Sequence, residues 1–170
     1  MESRATRRPT AGAIVAALAT LCAAISSGAQ AATVTSLDPN SIASALQSAG
    51  YKAKLSKDKD GDPSIESAGG GNDVKLVFFG CANGKACNQI EFVSVWNCED
   101  DLKKCIQTAA KWNSSENYAH AIMVEKSIAL YYHLMFDANG ISDELFIRNF
   151  EQFSNDASGL MKMFGEVAGK

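Results

Sequence analysis

The sequence is poor in the residue types from which catalytic and nucleic-acid-binding sites are built. It has only two histidines in 170 residues, and no serine or cysteine lies in a recognisable nucleophile motif. Because a nucleophile needs a base and an orienting group beside it, we expect that the protein is not an enzyme. Lysine and arginine number 16 against 19 acidic residues, with no basic stripe, so we expect no nucleic-acid partner.

Phosphate-binding and redox motifs are also missing. The glycine run Gly69–Gly71 is not followed by the Lys-Ser/Thr pair that grips phosphate, and it is interpreted as a turn. The sequence has no C-x-x-C motif of the thioredoxin type. With no motif for phosphate or redox chemistry, we expect no cofactor.

The first 31 residues have the pattern of a secretory signal peptide. Arg4, Arg7 and Arg8 precede an apolar run over residues 11–25, and Ala29–Ala31 forms a small-residue cleavage pattern. The apolar run is shorter than the roughly 20 residues that a membrane helix needs. We expect cleavage near Ala31, a periplasmic or secreted protein, and no stable membrane insertion; an uncleaved anchor is the alternative.

Cleavage would leave one domain, residues 32–170. Its loss of Glu2 and three arginines takes the formal net charge from −3 to −5. A chain of this length suits a single domain with its own core.

Four cysteines remain after cleavage, namely Cys81, Cys87, Cys98 and Cys105. Their spacings, C-x5-C and C-x6-C, lack the C-x2–4-C knuckle of structural zinc sites, so disulfides are the favoured interpretation in an oxidising compartment. Three connectivities are possible. We prefer the local pairs Cys81–Cys87 and Cys98–Cys105. The second pair can form only if the two cysteines do not both lie in the helix. Seven residues apart in one helix they would be about 10 Å apart, too far to bond, so Cys98 should precede the helix.

Hydrophobic periodicity and turn residues predict an α+β domain. Asp38 and Pro39 begin the first helix, Gly50 ends it, and Ser142 caps a long last helix whose phenylalanines recur at helical spacing. Asp60-Gly61 and Asn83-Gly84 are typical of hairpin turns. The predicted order is α-β-β-β-β-α-β-β-α, an antiparallel sheet with N-terminal, middle and C-terminal helices packed on it. The predicted strands are Tyr51–Lys57, Pro63–Ala68, Asp73–Cys81, Asn88–Trp96, Tyr118–Glu125 and Ser127–Asp137, and the middle helix is Asp101–Trp112.

The order of several motifs resembles that of the YbjN domain family. These are "DPNSIASALQSAGY" with a following "DGDP", then "FFGCANGKACNQIEF", then Trp112-Asn113, then "GISDELFIRNFEQF". The resemblance spans residues 32–170 and is nearest to the exported members. It implies a fold like that of type III secretion chaperones, a sensory transduction regulator, and a homodimer. It implies no catalytic residues.

Two sets of residues are candidate metal ligands. Asp58, Asp60 and Asp62 alternate as at the start of a calcium loop, but Pro63 stands where such a loop needs glycine, so a hairpin turn is the favoured interpretation. If Lys126-Ser127 were the turn of the last hairpin, His120 would face His133 across it. That pair could be a metal half-site or a pH-sensitive pair, although ordinary cross-strand packing is favoured.

The aromatic residues suggest a surface for a protein partner. Tyr131 and Tyr132 are adjacent in a predicted strand and must point to opposite faces, so one of them should face outward. Trp96, Trp112 and Phe136 are expected mostly in the core. The leading hypothesis is therefore a chaperone-like or regulatory protein-binding module of unknown partner, and the alternative is an envelope sensor that binds a small ligand or metal ion.

Overall fold

The computed structural model describes residues 33–115, 118–135 and 139–167. The predicted signal peptide, residues 1–31, and Phe136 lie outside the described residues. The elements in chain order are β1 (Thr33–Val34), α1 (Pro39–Ser48), β2 (Ala53–Lys57), β3 (Pro63–Gly69), β4 (Asn72–Phe79), β5 (Gln89–Asn97), α2 (Leu102–Asn113), β6 (His120–Val124), β7 (Ser127–Met135), β8 (Ile141–Ser142) and α3 (Asp143–Val167).

Six of the strands form one antiparallel sheet in the order β2-β3-β4-β5-β7-β6. The first four strands are a meander, as the sequence predicts. After β5 the chain crosses through α2 and returns as the hairpin β6–β7, with β7 beside β5 and β6 at the edge. The α+β fold with three helices packed on the sheet is confirmed. The short pair β1–β8 is not predicted, because two residues are too few for a periodic signal.

The predicted helix ends are confirmed by their hydrogen bonds. The carboxylate of Asp38 accepts from the N–H of Asn40, and Pro39 occupies the first turn of α1. The hydroxyl of Ser142 accepts from the N–H of Leu145 at the start of α3. Each cap satisfies a backbone donor that the helix leaves free.

The core lies between the three helices and one face of the sheet. Its centre is Phe92 of β5, whose ring centroid lies within about 6 Å of the centroids of Phe146, Phe150 and Phe153 of α3. Tyr132 of β7 stacks on Phe92 from the neighbouring strand. These three phenylalanines, spaced three or four residues apart on α3, therefore reach the same strand, which is the arrangement that their spacing predicts.

Two disulfides join the cysteine pairs that are nearest in the chain. Cys81 is bonded to Cys87 between β4 and β5, and Cys98 is bonded to Cys105. Cys98 precedes α2, and Cys105 lies in its first turns, which is the geometry that the second pair requires. The bonded cysteines are compatible with export. Within the described ranges, no helix is long and apolar enough to span a membrane.

Candidate functional site

The sheet has one face that no described helix covers. The side chains on such a face are usually polar, but several of those on this face are apolar. On this open face lie the side chains that we call the apolar patch: Val93 and Val95 of β5, Ile122 and Val124 of β6, and Ala129 and Tyr131 of β7. Cross-strand pairing aligns them in rows, with Ala129 opposite both Val95 and Ile122. They line a depression of about 390 Å³. Of the two tyrosines, Tyr131 is thus the outward-facing one.

A polar cluster lies beside the patch on the same face. Nε2 of His133 lies 2.9 Å from a carboxylate oxygen of Glu91, directly across the β5–β7 pair. Nδ1 of the same ring lies 3.3 Å from the side-chain nitrogen of Gln89. Tyr131 packs edge-on against His133, at 5.5 Å between ring centroids. One carboxylate, one imidazole and one amide, from Glu91, His133 and Gln89, therefore form a polar rim beside the patch.

The histidine register predicted from the sequence is wrong. His120 pairs with Tyr131 and does not face His133, because the two-residue turn is Glu125-Lys126, with Val124 opposite Ser127. Glu125 adopts the positive φ of 53° that such a tight turn requires, although asparagine or glycine is the usual residue there. Tyr131 therefore lies between the two histidines.

The aspartates of the β2–β3 turn form a hydrogen-bonded hairpin. The carboxylate of Asp58 accepts from the N–H groups of Asp60 and Asp62, each at 2.9 Å. These bonds hold Gly61 in a left-handed turn at φ +86°. Across the described ranges, no three acidic, histidine or cysteine side chains come together as a metal site.

Burial raises the pKa of the Glu91 carboxyl, and the proximity of His133 lowers it by a smaller amount. A carboxyl with a raised pKa in the folded state binds its proton more readily when folded. Stability is then highest when Glu91 is protonated and falls as the pH rises through its ordinary value towards the raised one. Because water still reaches the Glu91 side chain, which is 19% exposed, we expect a moderate change in the free energy of unfolding with pH.

We expect Glu91→Gln to be more stable than the wild type near pH 7, by less than about 1 kcal/mol, because the uncharged amide avoids the cost of burial. The difference should shrink as the pH falls towards 4. Urea unfolding across this range is the measurement. Glu66→Gln is the control, since Glu66 lies on the same face with its side chain 61% exposed. A Glu91→Gln protein that is less stable at pH 7 would mean that pairing with His133 outweighs burial.

The fold and the open face together define a class: an α+β domain with helices on one side of an antiparallel sheet and an apolar surface on the other. The chain matches the YbjN family, described as "Putative bacterial sensory transduction regulator", over residues 38–166. It belongs to that family.

Among solved structures, the chain is similar to an uncharacterized protein from Methanothermobacter thermautotrophicus. The TM-score is 0.56 and the sequence identity is 11%, and the match covers 75% of this chain and 96% of that one. At this identity the similarity concerns the fold alone. No curated protein has significant similarity to the sequence.

Sequence reasoning missed the apolar patch. The signal was present, since Val93 and Val95 in "QIEFVSVW" and Ile122 and Val124 in "HAIMV" occupy the positions that alternate with core residues. Successive side chains of a strand point to opposite faces of the sheet. Apolar residues on both faces are typical of strands that are covered on both sides.

Proposed function

We propose that this protein is an exported, non-enzymatic protein-binding module, regulatory or chaperone-like, and that the apolar patch is its contact surface. The observation that carries the proposal is the composition of the open face. Antiparallel sheets usually present polar residues to water on their uncovered face. Here Val95 is 57% exposed, and Ile122 and Val124 are also exposed beside it.

Clustering of these side chains supports a binding role more than their number does. Single exposed apolar residues are normal, whereas a contiguous patch with a polar rim is typical of protein–protein contact sites. The patch has such a rim in Glu91, Gln89 and His133. Tyr131 adds an aromatic side chain of the kind that often anchors a partner.

The first partner to test is a second copy of the chain, since the family resemblance implies a homodimer. A two-fold axis through the patch would place the two sheets face to face and bury the same residues on each copy. Sheets that pack in this way lie about 10 Å apart, with side chains from both faces interleaved. Apolar residues at the open positions fit that arrangement.

The test compares two lysine substitutions at equally exposed sites. Val95→Lys lies in the apolar patch, and Ile106→Lys lies on α2, where Ile106 is 51% exposed. We expect residues 32–170 to sediment as a dimer in the wild type and in Ile106→Lys, and as a monomer in Val95→Lys. A lysine in a closed apolar contact is costly because its charge loses water without gaining a partner.

If the wild type is a monomer, the next experiment looks for a different protein partner. Affinity capture from envelope extract would then be run with all three proteins in parallel. A captured protein that depends on Val95 but not on Ile106 supports the open face as a binding surface. Association that is indifferent to both substitutions overturns the assignment of the patch.

The sensor hypothesis makes a different prediction. An envelope sensor for a metal ion would be stabilised by micromolar calcium or zinc in a thermal-shift titration, whatever residue stands at position 95. Turnover in a broad screen of hydrolase substrates would overturn the non-enzymatic part of the proposal.

A further inference from the structure

The two edges of the six-stranded sheet are built differently. At the β6 edge, side chains bond the outward backbone groups: the amide of Asn113 donates to the carbonyl of Ala121 at 2.7 Å and accepts from its N–H at 2.9 Å. Just before β6, the N–H of Ala119 donates to Asp156, and its carbonyl accepts from the indole of Trp112, both at 2.9 Å. Side chains thus take the places that another strand would occupy.

At the other edge, in the described ranges, no strand pairs with the outer side of β2. The N–H of Asp58 donates to Asp62 across the β2–β3 turn, which fixes the alternation of the ladder. Residues 53, 55 and 57 therefore direct their N–H and C=O groups away from β3. The carbonyl of Ala53 confirms this, since it accepts from the side chain of Gln47 in α1. Leu55 and Lys57 present the next outward groups.

Beside this edge lies a groove of about 480 Å³, which we call the β2 groove. One wall is the segment before and into α1, with Leu37 and Pro39; the other is the disulfide loop, with Gly84 and Lys85; the floor includes Leu55 and Lys57. The side chains of Leu37 and Leu55 are both exposed in it. An apolar side chain of an added strand would cover them.

The walls of the β2 groove are held in place. Cys81–Cys87 closes the loop that carries Gly84, and the buried hydroxyl of Ser36 donates to the carbonyl of Cys87, which joins the two walls. The same loop packs on the β2–β3 turn, where a Cβ on Gly84 would lie 2.7 Å from the carbonyl oxygen of Gly61. A preformed groove lowers the entropy cost of binding.

We propose that the β2 groove binds an extended peptide that adds as a seventh strand to the edge of β2. Leu55 and Lys57 are two residues apart and lie on one face of β2, so the peptide carries apolar and acidic residues two positions apart, on the face that it turns to the groove. Backbone hydrogen bonds to Leu55 and Lys57 would supply affinity, and alternate side-chain contacts would supply specificity. This inference rests on the proposed protein-binding function and names the class of partner.

Charge favours this occupant over a second copy of the chain. Lys57 and Lys85 line the groove and form no ion pair with a described residue, and they outnumber Asp38, the acidic residue of the same lining. Acidic side chains would pair with the two lysines. Two copies of β2 would instead bring the lysines at 52, 54, 57 and 59 close to one another, and like charges across a strand pair are destabilising.

The probe is an acetylated and amidated hexapeptide with valine at position 2, glutamate at positions 4 and 6 and threonine at the other positions, so that valine and glutamate share a face; it is added to residues 32–170. Amide hydrogen exchange followed by NMR gives the readout. We expect the outward amides of Leu55 and Lys57 to exchange more slowly with peptide, by roughly 100-fold at a concentration 100 times the Kd, because they must lose the peptide to exchange. The amides of Lys54 and Ser56, which face β3, should change little.

Matched controls separate backbone pairing from charge. The same peptide with alternate amides N-methylated keeps its side chains but loses the ladder bonds, and we expect no protection from it. Lys57→Pro removes an outward N–H that an edge strand can spare, and should abolish binding; Lys57→Ala keeps that N–H and should weaken binding only a few-fold. Both variants are first checked for folding by thermal unfolding.

Two outcomes would overturn the inference. The first is no binding of the peptide at millimolar concentration by the folded wild type. The second is binding that leaves the amides of Leu55 and Lys57 unprotected, or that survives N-methylation. In either case, association that still depends on Val95 would leave the proposed protein-binding function standing and remove only the β2 groove from it.

Discussion

Replacing Phe92 by alanine is expected to lower the free energy of unfolding by about 3–5 kcal/mol. Phe92 is fully buried at the centre of β5, where it contacts three phenylalanines of α3. The substitution removes the apolar transfer energy of the ring and leaves a cavity that these rigid neighbours cannot fill. It also removes the ring pair with Tyr132, whose pKa is raised by burial and by its hydrogen bond to Tyr118.

Phe79→Ala is the matched control, since Phe79 also lies in a strand but is exposed at the end of β4. We expect it to cost no more than about 1 kcal/mol. Urea unfolding under non-reducing conditions, with both disulfides intact, measures both variants. Equal losses in the two proteins would contradict the position of Phe92 as the meeting point of sheet and helix.

Local signals predicted most of this fold because they act over a few residues. The caps at Asp38 and Ser142 and the turns at Gly61 and Gly84 depend on neighbours in the chain, so they can be identified without tertiary structure. The spacing of phenylalanines in α3 similarly fixes which side of the helix faces the sheet.

What the sequence did not reveal depends on pairing between distant segments. The position of β6 at the sheet edge follows from which strand β7 joins, and no local pattern specifies that choice. The histidine register failed for a related reason: Glu125 at a positive φ replaces the asparagine or glycine that would have marked the turn. An error of one residue in the turn displaced the predicted partner of His120 by two positions.

The β2 groove was beyond the reach of sequence for the same reason. Leu37, Leu55 and Gly84 belong to three separate segments, and only the fold brings them together. The aspartates around Gly61 drew attention as metal ligands, whereas their structural role is to close the turn on which the disulfide loop packs. The residues that close the β2–β3 turn therefore also support one wall of the β2 groove.

Asp156→Ala is expected to lower the free energy of unfolding by about 2–3 kcal/mol, because it leaves the buried N–H of Ala119 without an acceptor. One carboxylate oxygen of Asp156 accepts from the N–H of Ala119 at 2.9 Å, and the other accepts from the side chain of Gln152 at 3.0 Å. Ala119 is itself buried, so its N–H cannot turn to water. Leaving it unpaired costs the full desolvation energy of the group.

Asp156→Asn separates loss of the acceptor from loss of the charge. Its amide keeps the shape and one oxygen that can accept from Ala119, while Gln152 can rotate its own oxygen towards the new NH₂ group. We expect a loss of about 1 kcal/mol or less. An equal loss in the alanine and asparagine variants would show that charge, and not acceptance from Ala119, makes Asp156 stabilising.

Hydrogen exchange gives a local readout of the same contact. In Asp156→Ala the amide of Ala119 should exchange much faster, while the amide of Ala121, held by Asn113, should keep most of its protection. Faster exchange at both sites would mean that the whole edge opens as one unit. Since the Asn113 and Asp156 side chains act as a substitute strand along β6, the variant should also expose this edge to pairing with other chains. Concentration-dependent aggregation of Asp156→Ala, absent in Asp156→Asn, is the expected sign that side chains close one edge of this sheet.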